Sequence, residues 1–145
     1  MIYILKEVVL RTNNTPKGME KISQLWGDIL SKKISLLPEN KNEFLISKYS
    51  NYESDENGEY DLTIMRRELN FLLQLDERAK NREFIKYEEI ADDIESCARK
   101  VWARVWEDKK NNNLDRAYKE DYQLDILPMF SQDGKYHSVL YISIK

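Results

Sequence analysis

The segment YSNYESDENGEY, residues 49–60, decides the predicted fold. It joins a predicted β-strand at Phe44–Tyr52 to a second one at Tyr60–Met65 that runs on to Glu68, and both are rich in apolar and aromatic residues. Asn57-Gly58 lies between them, and this dipeptide is a strong hairpin signal because both central residues of a type I′ turn need a positive φ. The two strands are therefore predicted to pair as a β-hairpin.

A second hairpin is predicted near the end of the sequence. Tyr118–Leu127 and Tyr136–Ile144 have strand character, and the segment Ser131–Lys135 between them has turn composition. It contains Asp133-Gly134, which is again a dipeptide typical of hairpin turns.

Each hairpin is preceded by a predicted strand and helix, and the first pair begins with a strand over Ile2–Leu10. Thr15 is the predicted N-cap of the first helix, with Pro16 at its first position, where the missing N–H matters least. Apolar residues then follow in steps that place them on one helical face, namely Met19, Ile22, Leu25, Trp26, Ile29 and Leu30.

The second strand and helix resemble the first. A strand is predicted over Phe84–Ile90, followed by Asp92 as N-cap with Glu95 as its reciprocal acidic partner. The apolar face of this helix comprises Ile94, Cys97, Ala98, Val101, Trp102, Val105 and Trp106, and the polar run Lys109–Asn113 ends it. Leu69–Arg82, between the two halves, fits either a short helix or a packed loop.

This order indicates a duplication. Each half has a Trp late in its helix and a Tyr two residues after the glycine of its hairpin. The predicted fold class is α+β: a duplicated βαββ unit with pseudo-twofold symmetry, antiparallel sheets and two long helices. A single domain covers residues 1–145, with repeat 1 at about 1–68 and repeat 2 at about 83–145. The groove between the two helices lies on the symmetry axis, where ligand sites are common.

The composition excludes several classes of function. The chain has 145 residues, and its 23 basic and 26 acidic side chains give a net charge of -3, which argues against nonspecific nucleic-acid binding. No apolar run approaches the roughly 20 residues of a membrane helix, and no leader is recognised, so a cytoplasmic location is expected. One cysteine and one histidine rule out an intrachain disulfide and a zinc finger.

The sequence gives little support for catalysis, and no catalytic residue, metal ion or cofactor is predicted. Cys97 is interpreted as a small core residue, and His137 as a surface or hydrogen-bonded residue of the last strand. The acidic run Glu53–Glu56 is interpreted as a solvated turn. The four glycines are all separate, so no phosphate-binding loop is present.

What remains is a set of aromatic residues that could line a pocket and stack on a flat or cationic molecule. The candidate ligand-binding residues are Trp26, Tyr49, Tyr52, Tyr60, Tyr87, Trp102, Trp106 and Gln123, with Asp121 and Asp125 as nearby acids. Because strands alternate faces, Tyr49 and Tyr52 can share one face only if the chain bends or bulges between them.

Several stretches, in order along nearly the whole chain, resemble the GyrI-like, or AraC-type, effector-binding domains. They are Arg11-Thr12-Asn13 with Leu25-Trp26, Tyr49–Tyr60, Lys86-Tyr87, Val105-Trp106, Arg116–Gln123 and Tyr141–Lys145. The resemblance implies the duplicated βαββ fold and a cleft that binds small hydrophobic or cationic molecules. In that family the domain occurs in transcription activators, as free-standing proteins and as a gyrase inhibitor, and some relatives are hydrolases.

The sequence departs from the family pattern at Gln123, because family members usually have an acidic residue there. No segment remains for a helix-turn-helix, so direct DNA binding is not expected. The expected function is that of a free-standing cytoplasmic protein that binds an effector or drug. Two alternatives stay open: a hydrolase-like enzyme that uses a Tyr with a carboxylate, and an interaction module whose protein partner is gyrase or a transcription factor.

Overall fold

The computed structural model of the protein describes residues 6–38, 42–128 and 131–145. Within these ranges it contains β1 (Glu7–Thr12), α1 (Pro16–Leu30), β2 (Glu43–Ser50), β3 (Tyr60–Glu68), α2 (Leu69–Lys80), β4 (Phe84–Ala91), α3 (Ile94–Lys110), β5 (Asp121–Ile126) and β6 (Tyr136–Ser143). The predicted α+β class is confirmed. The segment that fits either a helix or a loop is α2, and the N-terminal part of the first predicted strand, residues 2–5, lies outside the described residues.

The strands form one six-stranded sheet in the order β1-β3-β2-β5-β6-β4. All pairs of neighbouring strands are antiparallel, including both predicted hairpin pairs, β2 with β3 and β5 with β6. The antiparallel sheets expected of the two halves form one continuous sheet, because β2 also pairs with β5. Strands β2 and β5 therefore lie at its centre, and β1 and β4 are its edges.

The starts of the two long helices follow from local capping. Thr15 is the N-cap of α1, as predicted, and its side-chain oxygen accepts a 3.2 Å hydrogen bond from the Gly18 N–H. The predicted cap of α3 is wrong by one position. Asp93 rather than Asp92 caps this helix, and its Oδ1 accepts from the Ser96 N–H at 2.8 Å.

The predicted type I′ turn at Asn57-Gly58 is wrong, because neither residue has a positive φ. β2 ends at Ser50 instead of Tyr52, and Asn51, at φ 50°, turns the chain into a long loop. Gly58 fits closely there, since a Cβ would lie 2.5 Å from the Ser54 Oγ and 3.3 Å from the Ser54 nitrogen, so the hydroxyl would have to rotate away. The loop is therefore a packed structure.

The fifth strand begins later than predicted for a similar reason. Tyr118 has a φ of 53°, which strand backbone does not allow, and β5 consequently begins at Asp121. In the second predicted hairpin turn only Gly134 has a positive φ, at 69°, so Asp133-Gly134 does not form a type I′ turn either.

The helices divide between the two faces of the sheet. On one face α1 packs on β1, where Ile29 contacts the cluster that contains Leu62, and α3 packs on β4 and β6, where Val101 and Leu140 share a cluster. On the other face α2 contributes Leu72 and Leu75 to a core with Met65, Tyr122, Leu124 and Val139. Burying one such side chain fully stabilises the fold by about 1.5–3 kcal/mol.

The two helices of the first face lie over opposite edges of the sheet, so the strip formed by β2 and β5 lies between them. We call this strip, with the facing side of α3, the central groove. Strand alternation directs Asp121, Gln123 and Asp125 of β5 to this face, because Tyr122 and Leu124 point into the opposite core.

Candidate functional site

Gln123 lies at the centre of the groove floor. It is opposite Ser47 in the pairing of β2 with β5, and its side chain is 6% exposed. Its Oε1 accepts hydrogen bonds from the Tyr49 hydroxyl at 2.8 Å and the Trp102 indole N–H at 2.9 Å. These bonds use both lone pairs of the amide oxygen and fix one aromatic side chain of each half in place.

The aromatic side chains around Gln123 pack on one another in tilted and edge-on geometries. The Tyr49 ring centroid lies 5.3 Å from that of Trp102 and 5.6 Å from that of Tyr60, and Tyr52 lies 5.8 Å from Tyr60. Trp102 is in turn 6.1 Å from Trp106, which is 46% exposed. Such ring pairs contribute about 0.5–1.5 kcal/mol each beyond the area they bury.

The bend that Tyr49 and Tyr52 need in order to share one face is present at Asn51. Its φ of 50° ends β2, and both tyrosines consequently reach the Tyr60 ring. The Tyr52 hydroxyl donates to Asp121 Oδ2 at 2.6 Å. Burial, followed by the nearby charge of Asp121, holds the pKa of Tyr52 well above its usual value.

Asp121 is fully buried, and each of its oxygens accepts two hydrogen bonds. Oδ1 accepts from the Ser143 backbone N–H and hydroxyl, at 2.8 and 3.0 Å. Oδ2 accepts from Tyr52 and from Nη2 of Arg116 at 2.9 Å, and this arginine is 3% exposed. The carboxylate thus has four donors and a cationic partner, which is what a buried charge requires.

Asp125, four residues further along the same face of β5, has a different environment. Its Oδ1 accepts from the Ser138 hydroxyl at 2.6 Å, and both of its oxygens lie 3.1 Å from the Gln123 Nε2. Within the described ranges it forms no ion pair. Burial raises its pKa, although the two hydrogen-bonding partners partly offset the effect.

One end of the groove is tied together by Glu56, whose carboxylate bonds the Lys109 ammonium at 2.6 Å and accepts from the Tyr118 hydroxyl. Burial opposes ionisation of Glu56, but the bonds from Lys109 and Tyr118 outweigh it and lower its pKa to about 2. The interpretation of residues 53–56 as a solvated turn is thus wrong at Glu56. A cavity of about 360 Å³ lies beside this contact, lined by Asn14, Glu56, Asn57, Trp106, Lys109 and Lys110.

The structure brings together six of the eight predicted site residues: Tyr49, Tyr52, Tyr60, Trp102, Trp106 and Gln123. Trp26 packs with the core cluster beneath α1. Tyr87 is 4% exposed in the cluster beneath α3, and its hydroxyl donates to Asp108 at 2.7 Å. Of the eight, Trp106 lines the 360 Å³ cavity, while the Tyr49 ring packs edge-on against those of Tyr60 and Trp102.

Sequence reasoning missed Arg116 and Tyr118 as members of this site. The Arg116 guanidinium lies 4.5 Å from the Tyr118 ring centroid and 5.8 Å from that of Trp102. A lone arginine five residues before an aspartate gives no local signal of burial, because the rings of Tyr52 and Trp102 that cover it come from the loop after β2 and from α3. Its place within the family-like run 116–123 was the available clue.

In the part of the chain that the structure describes, no group of three or more His, Cys, Asp and Glu side chains could hold a metal ion, and no helix has the length and apolar content to cross a membrane. Cys97 is fully buried, with its Sγ 3.0 Å from the Glu89 carbonyl oxygen. A second cavity of about 560 Å³ borders the ends of β2 and β6 and the start of β4, and its lining includes none of the eight predicted site residues.

Comparison with known proteins defines the fold without assigning a function. No family model and no curated protein matches the sequence. A crystal structure of an integron cassette protein from the mobile metagenome of Vibrio cholerae is similar, with 17% sequence identity and a TM-score of 0.64. The match covers 97% of this chain and 92% of that protein. At this identity the similarity shows a shared fold alone.

Proposed function

We propose that the protein binds a small, flat, cationic organic molecule in the central groove. The observation that carries this proposal is Asp125, a half-buried carboxylate on the groove floor that forms no ion pair within the described ranges. A carboxylate in such a place interacts strongly with a cation that displaces water, because the charge is poorly screened by solvent.

Although Gln123 is neutral, the groove keeps an acidic residue, which is Asp125, two residues further along β5. Its amide nitrogen donates to Asp125, and its amide oxygen is occupied by Tyr49 and Trp102. Gln123 therefore acts as a positioning residue that links the aromatic walls to the acidic side chain. Ring faces and a carboxylate together are the usual environment for organic ammonium groups.

The strand order supports the duplicated βαββ architecture of the GyrI-like effector-binding domains. Read from either edge, the sheet runs through the first, third and second strand of a half, as β1-β3-β2 and as β4-β6-β5. A twofold axis between β2 and β5 would relate the halves, with α1 equivalent to α3. We propose this relationship together with the function, since a cleft on that axis is where the resemblance puts the ligand.

No observation favours the hydrolase-like alternative over binding. Burial raises the pKa of both tyrosines that could activate water, Tyr52 and Tyr87, and their hydroxyls already donate to aspartates. Asp121 has no lone pair left for a water molecule. For the interaction module, the described residues offer no feature that identifies gyrase or a transcription factor as a partner.

Calorimetric titration with naphthylmethylamine, a flat aromatic ring with one ammonium group, tests the proposal. We expect Asp125→Asn to weaken binding at least about tenfold, since it removes a charge-assisted contact. Asp115→Asn is the matched control, because it removes the same charge from an exposed pair with Lys145. Equal affinity of the wild type and Asp125→Asn, or no binding of this and other flat cations to the wild type, would contradict the proposal.

A further inference from the structure

In the buried ion pair of Arg116 and Asp121, the carboxylate is fully hydrogen-bonded but the guanidinium is not. Asp121 receives four hydrogen bonds, whereas Arg116 uses Nη2 alone, for Asp121 at 2.9 Å and the Tyr52 hydroxyl oxygen at 3.5 Å. The Nε and Nη1 of Arg116 are buried and have no hydrogen-bond partner among the described residues. An arginine presents five N–H donors, so most of its donor capacity is unused in a place closed to solvent.

Aromatic rings surround this guanidinium. Its Cζ lies 4.5 Å from the Tyr118 ring centroid, 5.8 Å from that of Trp102 and 6.0 Å from that of Tyr52. The rings compensate part of the charge but accept hydrogen bonds only weakly. All three rings are half-buried, so they separate the guanidinium from solvent on the sides where they lie.

Tyr118 is the ring most readily displaced. It has a φ of 53°, an uncommon conformation for a tyrosine, and it is held over Arg116 by its hydroxyl contact with Glu56. It belongs to the segment between α3 and β5 rather than to a helix or strand. A ligand that reached Arg116 past Tyr118 would thus disturb no sheet or helix hydrogen bond.

We propose that Arg116 forms a second subsite of the central groove, which takes a carboxylate group of the ligand through its unused N–H groups. Trp102 links the two subsites. Its ring lies beside Arg116, and its indole N–H bonds Gln123, which in turn bonds Asp125. The groove would then recognise an aromatic molecule that carries an ammonium group and a carboxylate. This inference rests on the proposed function for the location of the ligand, and it adds the chemistry at the opposite end of β5.

The chemistry favours a carboxylate over a neutral acceptor. The Nε–H and the Nη1 hydrogens lie on different edges of the guanidinium, so each can bond a carboxylate oxygen singly, and such charge-assisted bonds are about twice as strong as neutral ones. Asp121 does not compete for these donors, because its lone pairs are already occupied.

The test uses naphthoate and naphthylmethylamine as a matched pair of probes, titrated into the wild type, Arg116→Lys and Asp125→Asn. Arg116→Lys keeps the positive charge beside Asp121 but removes the unused donors. We expect it to weaken naphthoate binding at least about tenfold and naphthylmethylamine binding by a much smaller factor, because the proposed partner of the ammonium group is Asp125. Asp125→Asn should weaken naphthylmethylamine binding, and it should strengthen naphthoate binding because a charge of the same sign as the carboxylate is removed.

Retained amine binding by Arg116→Lys also shows that this variant is folded. Should it not fold, the Arg116 Nε–Hε resonance of the labelled wild type provides the second measurement, and it should shift with naphthoate but not with naphthylmethylamine. Failure of naphthoate to bind the wild type, equal binding to Arg116→Lys, or an unmoved Nε–Hε resonance would overturn the inference. Failure of naphthylmethylamine to bind the wild type would instead count against the proposed function.

Discussion

Two carboxyl groups on the same face of β5, those of Asp121 and Asp125, differ in their burial, their hydrogen bonds and their ion pairing. Asp121 is buried, receives four hydrogen bonds and pairs with Arg116. Asp125 is half-buried, receives bonds from Ser138 and Gln123, and forms no ion pair in the part of the chain that the structure describes. The first end of the strand is internally neutralised, whereas the Asp125 carboxyl at the second end has no counter-ion among the described residues.

The two acids differ in their partners, and this separates a structural charge, Asp121, from the carboxyl proposed to bind a ligand, Asp125. A fully satisfied buried pair fixes local geometry, and here it joins β5 to β6 through Ser143 and to the loop after β2 through Tyr52. A desolvated charge without a counter-ion destabilises the free protein, and such sites are enriched where ligands bind. The predictions below address each half of this contrast.

The largest effect is expected at the structural end. Asp121→Asn should reduce the free energy of unfolding by about 3–5 kcal/mol, because it leaves the buried Arg116 without a counter-charge. Urea denaturation followed by tryptophan fluorescence measures this loss. A stability within about 1 kcal/mol of the wild type would show that the pair does not hold this end of the groove together.

Asp125→Asn should instead raise the melting temperature at neutral pH. The pKa of Asp125 is raised in the folded state by burial, so ionisation favours the unfolded chain and stability falls as the pH rises through the raised pKa. Melting curves of both proteins from acid to neutral pH should converge below about pH 3, where the carboxyl is protonated in both states. A variant less stable than the wild type at neutral pH would place Asp125 with Asp121 as a structural charge.

Tyr49→Phe should reduce stability by about 1 kcal/mol, since it removes a single hydrogen bond to the buried Gln123 while keeping the ring contacts. Chemical denaturation measures the change. Tyr118→Phe is the comparison outside the floor of the groove, because its hydroxyl contacts Glu56 instead. No loss in Tyr49→Phe would mean that Gln123 does not depend on this tyrosine for its orientation.

The smallest effect is expected for Glu56→Gln, at about 0.5–1 kcal/mol at neutral pH, because the side chains of Glu56 and Lys109 are 25% and 31% exposed. The pKa of Glu56 is lowered to about 2 in the folded state. Its contribution to stability is therefore complete above the unfolded-state pKa and is lost as the pH falls from there to the folded-state pKa. The stability difference between wild type and variant should therefore shrink between about pH 4.5 and pH 2. A difference independent of pH would contradict an electrostatic role.

The sequence predicts the parts of this fold that short-range patterns determine. The Thr15 cap, the apolar faces of α1 and α3 and the strands around both hairpins follow from neighbouring residues. The turn at Asn57-Gly58 was wrong because the chain already turns at Asn51, and the packing of Gly58 against Ser54 depends on a loop that no dipeptide rule describes.

The candidate site was predictable in its aromatic residues but not in its charges. Tyr49, Trp102 and Gln123, all candidates from the sequence, come together because strand alternation and helical periodicity place them on one face of the sheet. The unequal neutralisation of Asp121 and Asp125 depends on Arg116, Ser143 and Ser138, which come from distant parts of the sequence. Only the assembled sheet shows which acid is left without a counter-ion.

A crystal structure of the protein with naphthylmethylamine tests the central claim most directly. The account predicts the ammonium nitrogen within hydrogen-bond distance of the Asp125 carboxylate and the ring against Trp102 or Tyr49. An ammonium group bound elsewhere, such as in the cavity beside Glu56 and Trp106 or against Asp121, with Asp125 left without it, would contradict the claim.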